Sequence, residues 1–372
     1  MKTAPSPLLQ LFEVFSQTLC CSSAMLLLPL CLGILLTAQG RGLPPVVARR
    51  AHSDAEVRVR ADHRRRMARA IIVPWMYFMA VNMNLPNLPK FINSVVNQGD
   101  PNVSGESQKM YGNLSGLDAF FTFLSVSAVG RLSDVYGRKP FMMYSALGLG
   151  LGYFLCSLAT SDRQWVFYIS GSIDGLTSCM FSQSQAYISD LSAAMGESLS
   201  LALSQFQGLA IGLAFMLGIP LGAQLGSRYS LRTPLFCSMG FCFACFLSVL
   251  LFLPESASRT SHIKDVKIHE LNPAGAVSIL LRTKTLSLLS LVYFLANVAH
   301  AGIQVMWINY LQLVFGWSPQ ISSLTLAIIG LTVAAIPRLY IPVIGTKRSI
   351  TYGLLIHSVS LVLIGEIYLG CI

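Results

Sequence analysis

Between residues 70 and 372 the sequence repeats one pattern, a mostly apolar run of about twenty residues, a short polar turn, and another such run. About twenty residues of helix cross the roughly 30 Å hydrocarbon layer of a bilayer. In that layer every backbone N–H and C=O has to be satisfied within the protein. Runs of this length therefore predict an all-α, polytopic membrane helix bundle. Nine spans are expected, at roughly 70–93, 112–131, 140–160, 165–189, 201–225, 234–253, 286–314, 318–336 and 350–370.

Composition agrees. The chain is 53% hydrophobic and only 11% charged, whereas a soluble domain carries about 25% charged residues. The net charge of +10 reads as a topology signal, because the basic residues sit in short segments beside apolar runs. With the arginine-rich segment 41–69 placed in the cytosol, twenty of the 26 lysines and arginines fall on inner segments and five on outer ones, with Lys2 unassigned. The expected partner of that charge is a bilayer with anionic headgroups, not nucleic acid. The sequon Asn102-Val103-Ser104 falls in the first outer loop, as this topology requires.

The chain divides into four parts. Residues 1–69 form an N-terminal segment: an apolar run, Leu19 to Ala38, then a basic cytosolic tail. The apolar run fits a signal sequence, an extra span or an artefact of gene prediction. The tail is expected to be mobile or to lie on the membrane surface. Residues 70–253 form a six-helix bundle, 254–285 a polar cytosolic linker, and 286–372 a partial bundle of three helices.

Catalytic chemistry finds no foothold. His262 and Asp265 lie close in the inner loop without a third partner. Of the nine cysteines most sit in apolar runs; Cys242 and Cys245 have CxxC spacing without a histidine or second pair. Neither enzyme, metal nor cofactor is expected.

One turn is more informative. Gly130-Arg131-Leu132-Ser133-Asp134-Val135-Tyr136-Gly137-Arg138-Lys139-Pro140 joins the second and third spans. Gly130 and Gly137 permit a sharp turn and close helix approach. Asp134 can pair with a base or sit at a helix N-terminus. Arg131, Arg138 and Lys139 suit the cytosolic edge. The pattern G-x-L-S-D-x-x-G-R-K resembles the signature loop of the major facilitator superfamily of transporters. Leu85-Pro86-Asn87-Leu88-Pro89, Ala186-Tyr187-Ile188-Ser189-Asp190-Leu191 and Leu253-Pro254-Glu255-Ser256 resemble the tetracycline-efflux and hippocampus-abundant-transcript-like branch, over roughly 70–372. Gly171 stands where many members carry an arginine in span 4, Glu197 is followed by Ser198, and Gly218-Ile219-Pro220-Leu221-Gly222 fits the antiporter pattern only loosely. These departures count against proton-coupled drug export and leave the fold expectation intact.

The resemblance implies twelve spans, so the chain reads as lacking about three at its C-terminal end. It implies a conformational-switch loop at Gly130, Arg131, Asp134, Gly137, Arg138 and Lys139, latching the two halves, and a central cavity lined by spans 1, 4 and 7. It implies a secondary active transporter of a small organic solute working by alternating access. Proton coupling through Asp174 or Asp118 is left open, as are the efflux and sugar-porter branches and the choice between plasma membrane and endomembranes. The alternative is a non-transporting membrane scaffold or receptor derived from the same fold.

Charge at membrane depth costs about 2.5–3.5 kcal/mol on insertion scales, which singles out Asp118, Asp174 and Glu366. Ser170, Asp174, Ser178, Ser182 and Gln185 recur at helical spacing and predict a polar face on span 4. Asn82 and Asn84 in span 1 offer polar groups near mid-membrane, beside Pro74, Pro86 and Pro89. Asn297, His300, Gln304 and Trp307 recur on one face of span 7, where His300 can titrate near neutral pH. The candidate substrate or proton pathway is thus Asp174, Asp118, Ser178, Gln185, Asn82, Asn297 and His300, against the plainer reading that these residues pack or hydrogen-bond neighbouring helices.

Overall fold

The computed structural model describes residues 54–100, 104–195, 207–255, 275, 281, 283–344 and 346–371. Among them the chain is helix and turn, without strand. The apolar run of 19–38, residues 41–53 of the basic tail, most of the 254–285 linker with His262 and Asp265, and Asn102-Val103 of the sequon lie outside the described residues. The helices are α1 (Asp54–Asn84), α2 (Leu88–Val96), α3 (Gly105–Tyr136), α4 (Arg138–Ser157), α5 (Trp165–Thr177), α6 (Met180–Met195), α7 (Gly208–Arg228), α8 (Thr233–Phe252), α9 (Lys284–Phe315), α10 (Pro319–Ile344) and α11 (Thr346–Cys371). By length and composition, α4, α7 and α8 could each cross a membrane. Shorter apolar stretches run through α9, α10 and α11 at Leu286–Ala299, Ile321–Val333 and Thr351–Val362.

Two expected spans are broken. Span 1 is α1 followed by α2, divided at Leu85–Asn87. Proline has no N–H to give and disfavours helix at the residue before it, so Pro86 ends α1 and Pro89 falls in the first turn of α2. Asn87 repairs the gap: its Nδ2 donates to Met83 O at 3.0 Å and its N–H to Asn84 O at 3.0 Å. Span 4 is α5 followed by α6, divided at Ser178–Cys179, where Ser178 has ψ of 64°. The run Thr177-Ser178-Cys179 is poor in helix propensity. Hydroxyls take up the freed backbone groups. Thr122 and Ser125 donate to Gly175 O at 3.3 and 3.2 Å, Tyr144 donates to Leu176 O at 3.3 Å, and Ser145 Oγ accepts from Met180 N–H at 3.2 Å.

Other ends run past the expected spans. The basic residues 54–69 continue α1 instead of forming a loose tail; the stretch contains no glycine or proline to stop the helix. α3, with 32 residues, is about 48 Å long at 1.5 Å per residue, longer than the roughly 30 Å thickness of a hydrocarbon layer.

Helices meet at glycines. On α7, Gly218, Gly222 and Gly226 recur every four residues and face α1 and the turn after it: a Cβ on Gly222 would overlap the Met83 carbonyl, and one on Gly226 the Asn87 side chain. Another face of α7 meets α10, where a Cβ on Gly330 would lie 2.6 Å from Met216 N and 2.7 Å from Gly212 O. On α5, a Cβ on Gly175 would stand 2.5 Å from the Asp118 carbonyl of α3. Van der Waals contact of this kind is the main glue between membrane helices, because lipid gives little hydrophobic drive. The outer faces are apolar and open. On α8 they carry Phe236, Phe243 and Leu250, and on α4 Tyr144, Leu147, Leu151 and Phe154, two helical stripes of lipid-facing character.

Gly222→Val is expected to lower stability by about 3 kcal/mol or to abolish recovery of monodisperse protein, since added branches meet backbone rather than a yielding side chain. Gly240→Val, whose Cβ meets nothing within 4 Å, is the control. Thermal unfolding in detergent distinguishes the two.

Candidate functional site

The turn between α3 and α4 is a built charge network. α3 ends at Tyr136, Gly137 takes φ of +99°, and α4 begins at Arg138. A residue with a Cβ resists that conformation, and a Cβ here would also strike the Glu255 carboxylate at 2.5 Å. Glu255, just past α8, accepts from the N–H of Arg138 at 2.8 Å and of Lys139 at 3.2 Å. It thereby caps the positive end of α4. The Arg138 guanidinium reaches Asp134 at 2.6 Å, Ser133 Oγ at 2.8 Å and, more loosely, Asp190 of α6 at 3.5 Å. Lys139 Nζ donates to Leu250 O at 2.8 Å. Asp134 is half exposed, so its pair with Arg138 stabilises by at most about 1 kcal/mol; its larger effect is to hold the guanidinium between α3 and α6. Gly130 lies in α3 with open space around it, and Arg131 is exposed on the same helix. The partners seen for Arg138 and Lys139 lie in the first six spans or, for Glu255, just after the sixth.

Asp190 and Glu255 were not among the sequence-derived candidates. Both fall in the motifs that close spans 4 and 6, and both put acid beside an otherwise basic turn. That juxtaposition was the available signal.

A second site lies away from that turn. α2, α3, α4 and α5 enclose a cavity of about 210 Å³. Asp118 of α3 and Asp174 of α5 line it, near enough to interact electrostatically. The Gly175 contact sets that proximity by bringing the two backbones together at Asp118. Tyr111, Tyr153 and Phe167 supply rings to the wall. Asp118 Oδ1 is sealed from solvent with no hydrogen-bond partner. The field of Asp174 also reaches Tyr77, Tyr153, Cys156 and Cys242.

The remaining candidates scatter. The predicted stripe on span 4 is cut at Ser178–Cys179, because a 3.6-residue count cannot be carried through a helix break. Ser170 turns to α4 and donates to Gly152 O at 2.8 Å. Ser178 stands at the break, and Gln185 lies half-buried beyond it on α6. Asn82 is buried against Gly218 of α7, its Nδ2 without a partner among the described residues. Asn84 points to α8 and donates to Ser238 Oγ at 2.8 Å, a helix-packing bond. On α9, Asn297 is exposed and donates to Tyr293 O at 2.8 Å. Trp307, further along, is buried with Nε1 at 3.4 Å from Thr325 Oγ1 of α10. His300 lies on α9.

A glycine-packed helical bundle with apolar outer stripes, a capped charged turn and acidic residues around a cavity is the build of a multi-pass membrane protein. The chain belongs to the Major Facilitator Superfamily, whose sequence pattern matches residues 70–369. It is 24% identical over 262 residues to the class B tetracycline resistance protein of Escherichia coli, covering 70% of this chain and 62% of that one. It is 28% identical over 250 residues to major facilitator superfamily domain-containing protein 10 of Mus musculus, covering 62% of this chain and 53% of that one. The chain thus spans less than two thirds of these relatives' length. Its fold is similar to the crystal structure of the human organic anion transporter MFSD10, with a TM-score of 0.58 and 22% identity over 81% of this chain and 84% of that one.

Gly137→Ala is expected to cost about 1–2 kcal/mol, because it forces a left-handed backbone on an L-residue and pushes the Glu255 carboxylate off the α4 terminus. Gly130→Ala, which meets open space, should be neutral. The check is the difference between their unfolding midpoints.

Proposed function

We propose that the chain acts as a secondary active transporter of a small organic solute by alternating access, with protons as the coupling ion at Asp118 and Asp174. In this reading residues 70–253 and 286–372 belong to two bundles joined by the cytosolic linker 254–285, and they rock about a midplane site. The turn at Asp134, Arg138 and Lys139 faces the cytosol and steadies one state of the cycle.

The observation that carries the reading is the carboxylate pair on one interior cavity. Two acceptors at membrane depth that share one exchangeable proton avoid burying two like charges. Reaction with water or solute in the cavity then has a proton to trade. Family membership supports the transport role. The relatives include a tetracycline resistance protein and an organic anion transporter, named for solutes of different chemistry, so the solute is taken only as small and organic.

Flux in proteoliposomes under an imposed pH gradient is the test. The chain should move solute in response to the gradient, and Asp174→Asn should reduce gradient-driven flux at least tenfold. Normal gradient dependence in that variant removes Asp174 from the coupling. A correctly inserted protein with no solute movement at all favours the scaffold or receptor alternative.

The turn gives a separate prediction. Asp134→Asn keeps the side chain's shape and removes its charge, so the protein should insert and fold normally but cycle several-fold more slowly. An unchanged turnover would take the turn out of the cycle.

A further inference from the structure

We propose that the cavity between α2, α3, α4 and α5 is a binding site for a small organic cation, an aromatic primary ammonium. This deepens the transporter reading and rests on it for its purpose, although binding itself needs no flux.

Three observations converge. The first is charge. Asp118 and Asp174 both line the cavity, and no lysine, arginine or histidine does. The nearest bases by sequence, Lys90 and Lys109, lie two residues from Leu88 and Ile92 and two residues from Tyr111 of the cavity wall. Two residues are about 200° of helix, so both sit on the face opposite those lining residues. The second is donor count. Asp118 Oδ1 is closed off from the cavity, so an occupant meets the remaining oxygens of the two lining carboxylates, which are acceptors when ionised. An ammonium brings three donors, enough for both carboxylates at once.

The third is shape and surface. The cavity of about 210 Å³ fits a ligand on the order of ten non-hydrogen atoms at protein packing density. The rings of Tyr111, Tyr153 and Phe167 in its wall suit a flat apolar body and favour a cation over their faces. An anion of the same shape meets two carboxylates and is repelled, so the site selects by sign as well as size. The cavity is bounded entirely by helices of the first six spans, which separates it from any space between the two bundles.

Isothermal titration calorimetry on the full chain in lipid nanodiscs tests this with three probes of one shape: benzylammonium, benzyl alcohol and benzoate. Benzylammonium should bind, benzyl alcohol should bind at least tenfold more weakly, and benzoate should give no heat. Asp118→Asn and Asp174→Asn should each weaken benzylammonium at least tenfold. Gly171→Leu keeps both carboxylates and fills the cavity, where the new side chain has room to start, and it should abolish binding. This variant decides the matter if either aspartate variant fails to fold. Absence of benzylammonium binding, equal binding of benzoate or benzyl alcohol, or full affinity in Asp174→Asn or Gly171→Leu overturns the site. Benzylammonium binding in a protein that moves no solute would defeat the transporter reading and leave the site standing; solute flux without benzylammonium binding would do the reverse.

Discussion

Direct backbone contact between helices is the constraint on which the rest of this bundle depends. Lipid tails are as apolar as leucine, so burying a leucine between two helices gains little over leaving it in the bilayer. What remains is how closely the helices can approach. Gly222 lets α7 touch the α1 backbone, Gly330 lets α10 touch α7, and Gly175 lets α5 touch α3. The last of these also sets the carboxylates of Asp118 and Asp174 on one cavity. Packing and chemistry share a cause there, since a larger residue at 175 would hold the two acids apart.

The charged turn follows a different logic at the other end of the bundle. Water and headgroups screen charge there, and single ion pairs contribute little. Geometry gives the turn its weight. Glu255 occupies the place a Cβ at 137 would need and caps α4 through two backbone N–H groups. Arg138 meanwhile reaches α3 and α6. One glycine and one arginine therefore register four helix ends against one another.

Much of this was legible in the residues. Run length and the distribution of lysine and arginine gave an all-helical membrane bundle, because a backbone in lipid has so few alternatives. The turn from Gly130 to Pro140 was legible because each position answers a local need. Asp118 and Asp174 stood out by the cost of acid at depth, but their meeting did not, since it depends on which face of α5 Gly175 presses against α3. The stripe from Ser170 to Gln185 misled for a related reason. Periodicity assumes an unbroken helix, and the break at Ser178 depends on hydroxyls from α3 and α4, at Thr122, Ser125, Tyr144 and Ser145, that no local window contains. Glu255 and Asp190 escaped assignment because their partner lies across more than fifty residues of chain.

That break carries a mechanical consequence. A continuous helix behaves as a stiff strut and passes a push at one end straight to the other. Span 4 is instead two struts meeting at a joint, with Asp174 near the end of one and Asp190 near the end of the other. The hydroxyl bonds that α3 and α4 make around the joint tie both struts to the flanking helices, so the two halves of the span are held by their neighbours as well as by their own axis.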